Sequence, residues 1–175
     1  SSRREYSIHK VFEKGIMKNL GYKIKGFDHC EFYVGNAKQA SHFYKQTLGF
    51  EIIAYRGLET GSRESVSYVL NQGKINFVLT SPLIRDTSIG KHINVHGDGI
   101  RDVAFEVNDA KVAWKNSVDR GAKSIQKPKK ISDSGGFVVV SAIATFGDTI
   151  HSFIDRKNYS GSFLPGYETL NQKKK

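Results

Sequence analysis

The sequence predicts an α+β fold in which two βαβββ modules pair to form a curved, eight-stranded mixed sheet. The main observation is an internal repeat. Residues 26–34 read GFDHCEFYV, residues 99–107 read GIRDVAFEV, and a helix-type segment follows each of them. The two copies align without a gap at an offset of 73 residues. Two copies at this spacing indicate a duplicated supersecondary module, because a solenoid needs three or more repeats.

The first module, residues 26–81, is predicted to run strand, helix and then three strands. Its helix is expected at 36–47, with Asn36 as N-cap and Gly49 as the left-handed residue at its end. A tight turn is expected at Gln72-Gly73, between the last two strands. The four strands are predicted at 27–34, 50–56, 64–71 and 74–80.

The second module, residues 99–156, repeats this order after a polar connector at 82–98. Its helix is predicted at 109–120, where Asp109 and Gly121 occupy the positions that match Asn36 and Gly49. Its four strands are predicted at 100–107, 122–126, 136–145 and 148–155, with Gly147-Asp148 as the last hairpin turn.

Pairing of the modules follows from the apolar face that each sheet would leave uncovered. Two modules that pair bury those faces, with the helices on the outside and a concave, cup-like side within. The concave side of such a sheet is the default position for a ligand site.

The composition is typical of one soluble globular domain. The chain has 175 residues, of which 38% are hydrophobic and 25% are charged. No apolar run approaches the length that spans a bilayer. The single cysteine, Cys30, excludes an internal disulfide framework and fits a reducing compartment.

The net charge of +10 is concentrated at the two ends of the chain. Residues 1–25 contain seven Lys or Arg and two Glu, and residues 156–175 contain five Lys or Arg and one Glu. The remaining residues, 26–155, contain fifteen bases and fourteen acids. Because the body is nearly neutral, no specific binding of nucleic acid is expected.

The ends are therefore the candidate docking elements. Residues 1–25 are expected to form a basic extension in which Ile8, Phe12, Ile16 and Leu20 recur at helical spacing. Residues 166–175 are expected to form a basic tail, after a folded domain at 26–165. The candidate partner-binding residues are Arg3, Arg4, Lys10, Lys14, Lys18, Lys173, Lys174 and Lys175.

Basic ends favour an acidic protein surface, an anionic membrane or RNA as partner. The alternative is that they are solvated tails that only aid solubility. A basic amphipathic start also hints at a mitochondrial location, with the cytoplasm as the alternative.

Several strings resemble one family closely. They are VGNAKQASHFYKQTLGFEIIAYRGLETGSRESVSYVLNQGKINFVL, HGDGIRDVAFEV, FGDTIHSFID and NYSGSFLPGYE. The paired modules resemble the vicinal oxygen chelate superfamily, and these strings resemble the N-terminal domain of the 4-hydroxyphenylpyruvate dioxygenases. The resemblance runs from about Phe27 to Glu168.

This resemblance implies an Fe(II)-dependent, O2-using conversion of 4-hydroxyphenylpyruvate to homogentisate, in tyrosine breakdown. It also implies that the iron is held by a second, C-terminal domain, through two His and one Glu. No cofactor is therefore expected for this chain alone, and Fe(II) is expected if the family activity is retained.

The superfamily places its metal ligands on the first strand of each module and on the last strand of the second. The matching ligand positions in this sequence, here called the three slots, are His29, Asp102 and Ser152. A facial triad for Fe(II) needs two His and one carboxylate. The three residues are therefore interpreted as vestigial slots, with His29 as a hydrogen-bonded histidine and Asp102 paired with Arg101 or a lysine. No catalytic residue is expected. A mixed site with a displaced third ligand is the alternative.

The evidence for other candidate site residues is weaker. Cys30 and His151 are expected to face away from their neighbours His29 and Ser152, because side chains alternate along a strand. His92 and His96, with no acid or third ligand at metal spacing, are interpreted as solvated loop residues. The string GLETGSRES lacks the ending of a phosphate-binding loop and is expected to shape a hairpin.

Three functional hypotheses remain. The first is a non-catalytic domain that acts as an accessory subunit of a larger, mitochondrial assembly. The second is the N-terminal part of an active 4-hydroxyphenylpyruvate dioxygenase. The third is a small metalloenzyme whose site forms between two chains of a homodimer.

Overall fold

The computed structural model describes residues 20–170. Within this range the chain forms nine strands, three α-helices and one short 3-10 helix. In chain order the elements are β1 (Ile24–Tyr33), α1 (Ala37–Leu48), β2 (Glu51–Arg56), the 3-10 helix (Leu58–Thr60), β3 (Ser65–Gln72), β4 (Ile75–Pro82), α2 (Ser88–His96), β5 (Gly99–Val107), α3 (Ala110–Asp119), β6 (Ser124–Asp133), β7 (Gly136–Ala144), β8 (Ile150–Tyr159) and β9 (Glu168–Thr169).

All nine strands belong to one mixed sheet, in the order β6-β7-β8-β5-β1-β4-β3-β2-β9. The two modules join where β1 and β5 pair in antiparallel orientation. Each of these first strands also pairs in parallel with the last strand of its own module, β1 with β4 and β5 with β8. The sheet therefore has the symmetry of the sequence repeat, and the predicted α+β fold of paired βαβββ modules is confirmed.

Three of the four predicted helix-cap residues are confirmed, whereas α3 ends at Arg120 with a φ of −95° and Gly121 follows it with a φ of 101°. The Asn36 side chain accepts a hydrogen bond from the Gln39 amide at 3.0 Å, and Asp109 accepts from the amides of Lys111 and Val112. Gly49 ends α1 with a φ of 73°, in the left-handed region that favours glycine.

The structure corrects the sequence-based prediction in three places. The connector 82–98 contains a helix, α2, because the Thr87 side chain caps it by accepting from the Gly90 amide at 3.2 Å. Strand β6 extends to Asp133, because seven of its residues pair with β7 although most of its side chains are exposed and polar. A ninth strand, β9, pairs with β2 at one edge of the sheet.

Two apolar clusters pack the helices against one face of the sheet. In the first module, Ala37 of α1 packs with Leu70 and Leu79 of β3 and β4. In the second, Ala110 and Ala113 of α3 pack with Val107 and Phe153. Within residues 20–170, no helix has the length and apolar character that crossing a membrane requires.

A third cluster lies on the opposite, concave face of the first module. Val69 and Val78 alternate with Leu70 and Leu79 along their strands and therefore point into the cup. They pack against residues 163–167, here called the closing segment, which follows β8. Phe163 of this segment is almost fully buried, with only 6% of its surface exposed.

Candidate functional site

The three slots from the sequence analysis lie on the concave face of the sheet. His29 stands on β1, Asp102 on β5 and Ser152 on β8. Asp102 pairs in register with Glu31, and His29 pairs with Ala104. Because alternate residues of a strand share a face, these side chains point to the same side as Val78.

His29 is held by Asp28 and covered by the closing segment. Its Nδ1 lies 2.7 Å from Asp28 Oδ2, and both side chains are more than nine-tenths buried. The pairing of β1 with β5 is irregular between Phe27 and His29, at the point where these adjacent side chains meet. The ring of Phe163 stands edge-on to the imidazole, with 5.3 Å between the ring centroids.

Arg156 of β8 connects Asp28 to the closing segment. Its guanidinium donates to both carboxylate oxygens of Asp28, with a distance of 2.8 Å from Nη2 to Oδ2, and it also donates to the Phe163 carbonyl. Burial alone would raise the pKa of Asp28, but the hydrogen bonds from Arg156 and His29 lower it to about 2. Asp28 therefore stays ionised and ties β1 to β8.

Asp102 pairs with Ser152, and not with Arg101 or a lysine. Its carboxylate accepts from the Ser152 amide at 3.0 Å and from the Ser152 hydroxyl. Burial raises the pKa of Asp102, although the hydrogen bonds from Ser152 oppose the increase. Two of the three slots are thus hydrogen-bonded to each other.

Glu31, the acid that faces Asp102, was not among the predicted site residues. Its Oε1 accepts from the Thr80 hydroxyl at 2.7 Å, and that hydroxyl also contacts Ser67 Oγ at 2.8 Å. Burial raises the pKa of Glu31, because the ionised form loses its hydration. The signal was present in the sequence, since Glu31 follows His29 at the strand period of two.

The residues present do not fit an Fe(II) site at the three slots. Fe(II) oxygenases hold the metal with two imidazoles and one carboxylate, and leave positions open for substrate and O2. Here there is one imidazole, whose Nδ1 faces Asp28, and one carboxylate, which accepts from Ser152. The ring of Phe163 also lies against the imidazole.

Comparison with known proteins identifies the family. The family model described as "Hydroxyphenylpyruvate dioxygenase, HPPD, N-terminal" matches residues 19–165. The chain belongs to the family of hydroxyphenylpyruvate dioxygenase N-terminal domains.

Curated relatives of the chain carry the same family name. The chain is 42% identical to a probable 4-hydroxyphenylpyruvate dioxygenase 2 of Aspergillus fumigatus, over 92% of this chain and 45% of the relative. It is 41% identical to the 4-hydroxyphenylpyruvate dioxygenase of Tetrahymena thermophila, over 95% of this chain and 43% of the relative. The chain therefore spans less than half the length of these relatives.

Similar solved structures show that the chain has the vicinal oxygen chelate fold. A triple variant of 4-hydroxymandelate synthase from Streptomyces coelicolor superposes with a TM-score of 0.75 at 28% identity, over 85% of this chain and 42% of that one. Methylmalonyl-CoA epimerase from Mycobacterium tuberculosis superposes with a TM-score of 0.62 at 17% identity, over 82% and 93% of the two chains. The epimerase shares the fold alone.

The prediction that His92 and His96 lie in a loop was wrong, although His96 is exposed to solvent as expected. Both lie on α2, and Asp148, in the turn before β8, supplies the acid that the sequence spacing did not reveal. His96 Nε2 lies 2.6 Å from Asp148 Oδ2, across 52 residues of chain. Within residues 20–170, these three residues form the only group of three His, Cys, Asp or Glu whose ligand atoms all lie within 4.8 Å of one another.

The other candidate site residues agree with their sequence-based interpretation. His151 turns away from Ser152, because its Nδ1–H donates to the Val103 carbonyl at 2.9 Å and its ring lies 4.9 Å from that of Phe105. Burial raises the pKa of Cys30 to about 11, which makes its thiol a poor nucleophile. The glycine-rich string connects the antiparallel strands β2 and β3, as a hairpin should.

The candidate docking residues lie outside the part of the chain that the structure describes, so their role stays a prediction. They are Arg3, Arg4, Lys10, Lys14, Lys18, Lys173, Lys174 and Lys175.

Proposed function

We propose that this chain is the non-catalytic scaffold half of a 4-hydroxyphenylpyruvate dioxygenase. In this proposal, the conversion of 4-hydroxyphenylpyruvate to homogentisate depends on residues outside positions 20–170. The concave face that would hold a metal in other proteins of this fold serves here as a second core.

The packing of the cup is the observation that carries the proposal. Phe163 is 6% exposed and lies against His29, and it belongs to the same cluster as Val69 and Val78. Tyr167 packs against this cluster too, and burial raises its pKa to about 12. A substrate at these positions would have to displace the closing segment.

The polar contacts of the cup also support a structural role. Arg156 on β8 donates to Asp28 on β1 and to the Phe163 carbonyl. One guanidinium therefore connects β1, β8 and the closing segment. The hydrogen bonds between Asp102 and Ser152 connect β5 and β8 in the same way. Buried polar groups that are all paired in this manner stabilise one arrangement of the modules.

The proposal is tested with a chimera in which this chain replaces the matching N-terminal part of the Aspergillus fumigatus relative. We expect the chimera, supplied with Fe(II) and O2, to produce homogentisate from 4-hydroxyphenylpyruvate. We expect the 175-residue chain alone to produce none under the same conditions.

Two results would contradict the proposal. The first is turnover by the 175-residue chain alone that disappears in a folded His29→Gln variant, since this would place the chemistry in the cup. The second is a folded, iron-loaded chimera without activity, since this would show that the chain does not serve as the scaffold of such an enzyme.

The accessory-subunit hypothesis depends on the basic ends, and it stays a prediction together with the mitochondrial location. Replacing Arg3, Arg4 and the three C-terminal lysines with Gln should release the chain from an acidic partner if those ends dock there. Unchanged co-purification of a partner would count against the basic ends as docking elements.

A further inference from the structure

We propose that His92, His96 and Asp148 form a binding site for a divalent transition-metal ion such as Zn²⁺. This inference goes beyond the proposed scaffold function, and it involves none of the three slots in the cup. It rests on the side chains that the structure brings together between α2 and the turn before β8.

The geometry of the two histidines is the first argument. They are four residues apart on α2 and therefore lie on the same side of the helix, with 4.6 Å between their ring centroids. Two imidazoles one helical turn apart are a common arrangement in zinc sites. The third donor comes from a distant part of the chain, since Asp148 Oδ2 lies 2.6 Å from His96 Nε2.

The donor set decides which metals suit the site. Two imidazoles and one carboxylate, the donor set that Fe(II) oxygenases also use, favour transition-metal ions such as Zn²⁺ over Mg²⁺ and Ca²⁺, which prefer oxygen ligands. Zn²⁺ binds imidazole nitrogen and carboxylate oxygen at about 2.0–2.2 Å. The His96 and Asp148 side chains are 42% and 66% exposed, so they can rotate onto an ion without opening the core.

The residues around the proposed site leave room for further metal ligands and limit the affinity for Zn²⁺. A cleft of about 300 Å³ adjoins the three side chains and is also lined by Tyr33, Lys91 and Arg101. Water can fill the remaining coordination positions from this cleft. The charges of Lys91 and Arg101 oppose a cation, so we expect weaker binding than in a zinc site with four protein ligands.

The test is a calorimetric titration of the full chain with ZnCl₂. We expect one ion per chain, and an affinity at least about tenfold lower in His92→Ala/His96→Ala, because even the loss of outer-shell partners costs about 10–100-fold. His42→Ala is the matched control, since His42 is an exposed histidine on α1 and should leave the affinity unchanged. MgCl₂ at the same concentration should not compete.

A thermal melt separates loss of the site from loss of the fold. Zn²⁺ should raise the Tm of the wild-type chain by mass action, and should not raise that of the double variant. If the double variant does not fold, Asp148→Asn replaces it, since Asp148 lies in an exposed turn. Equal Zn²⁺ affinity in the wild-type chain and in a folded variant, or no binding by the wild type, would overturn the proposal. Neither result would bear on the chimera experiment, which depends on the cup.

Discussion

His29 Nδ1 and Asp28 Oδ2 lie 2.7 Å apart, although side chains of consecutive strand residues normally point to opposite faces. The register irregularity between Phe27 and His29 permits the contact. Arg156 then completes a buried group that joins the two modules to the closing segment. A residue that looks like a metal ligand in the sequence is thus part of a structural ion-pair network.

Asp28→Asn should destabilise the domain strongly. The substitution leaves the Arg156 guanidinium without its carboxylate, and breaking a buried pair costs about 3–5 kcal/mol. The free energy of unfolding in urea measures this loss. Asp119→Asn is the matched control, because the Lys115–Asp119 pair is exposed and should contribute no more than about 0.5 kcal/mol. Equal losses in the two variants would contradict the account.

The stability of the domain should fall in acid because of Asp28. Its pKa is lowered from 3.8 to about 2 in the folded state, so the ionised form stabilises the fold above pH 4. This contribution is about 2 kcal/mol and disappears as the pH falls from about 4 through 2. The difference in unfolding free energy between wild type and Asp28→Asn should therefore shrink over this range. If the difference in unfolding free energy is constant between pH 6 and pH 2, the ionised Asp28 carboxylate does not stabilise the fold.

Glu31→Gln should leave the stability at neutral pH unchanged or increase it. Burial raises the pKa of Glu31, so the folded state holds the proton more tightly than the unfolded state, and stability is lost as the pH rises through the folded pKa. The amide oxygen of Gln can still accept from Thr80, and it carries no charge. Chemical denaturation at pH 5 and pH 8 should show a smaller decline for Glu31→Gln than for wild type.

The control for Glu31→Gln is Glu106→Gln, which removes the partner of Lys25 at the surface. We expect this substitution to change the unfolding free energy by no more than about 1 kcal/mol. A Glu31→Gln variant that is much less stable at pH 8 would mean that the charge of Glu31 stabilises the cup.

Much of the fold could be predicted from the sequence because the repeat is gapless and the helix caps are local. Asn36 and Asp109 cap their helices with side chains that bond to amides two or three residues away. The helix α2 was missed because its stop signals, Gly97 and Gly99, sit in a polar segment with a further glycine at position 90. Local polarity was taken as a sign of a loop.

The sites were harder to predict because they depend on contacts between distant residues. Asp148 meets His96 across 52 residues, and Arg156 meets Asp28 across 128. Nothing in the local spacing shows either contact. The closing segment likewise carries part of the family resemblance in its sequence, while its packing into the cup is visible only in the structure.

Phe163→Ala should destabilise the domain by about 3–5 kcal/mol, because removal of a buried Phe ring leaves a cavity between His29 and the first module. Phe146→Ala is the control, since Phe146 is 87% exposed and its removal should change the unfolding free energy by less than about 0.5 kcal/mol. Denaturation in urea measures both. Similar small effects would mean that the closing segment does not fill the cup in solution.

The most direct test of the scaffold account is the turnover of the chimera that carries Asp102→Asn. The substitution removes the only carboxylate among the three slots, and its amide oxygen can still accept from Ser152. We predict an unchanged kcat for homogentisate formation and an unchanged iron content. A folded variant that loses activity by about tenfold or more, together with its iron, would contradict the account, because the cup would then hold the metal.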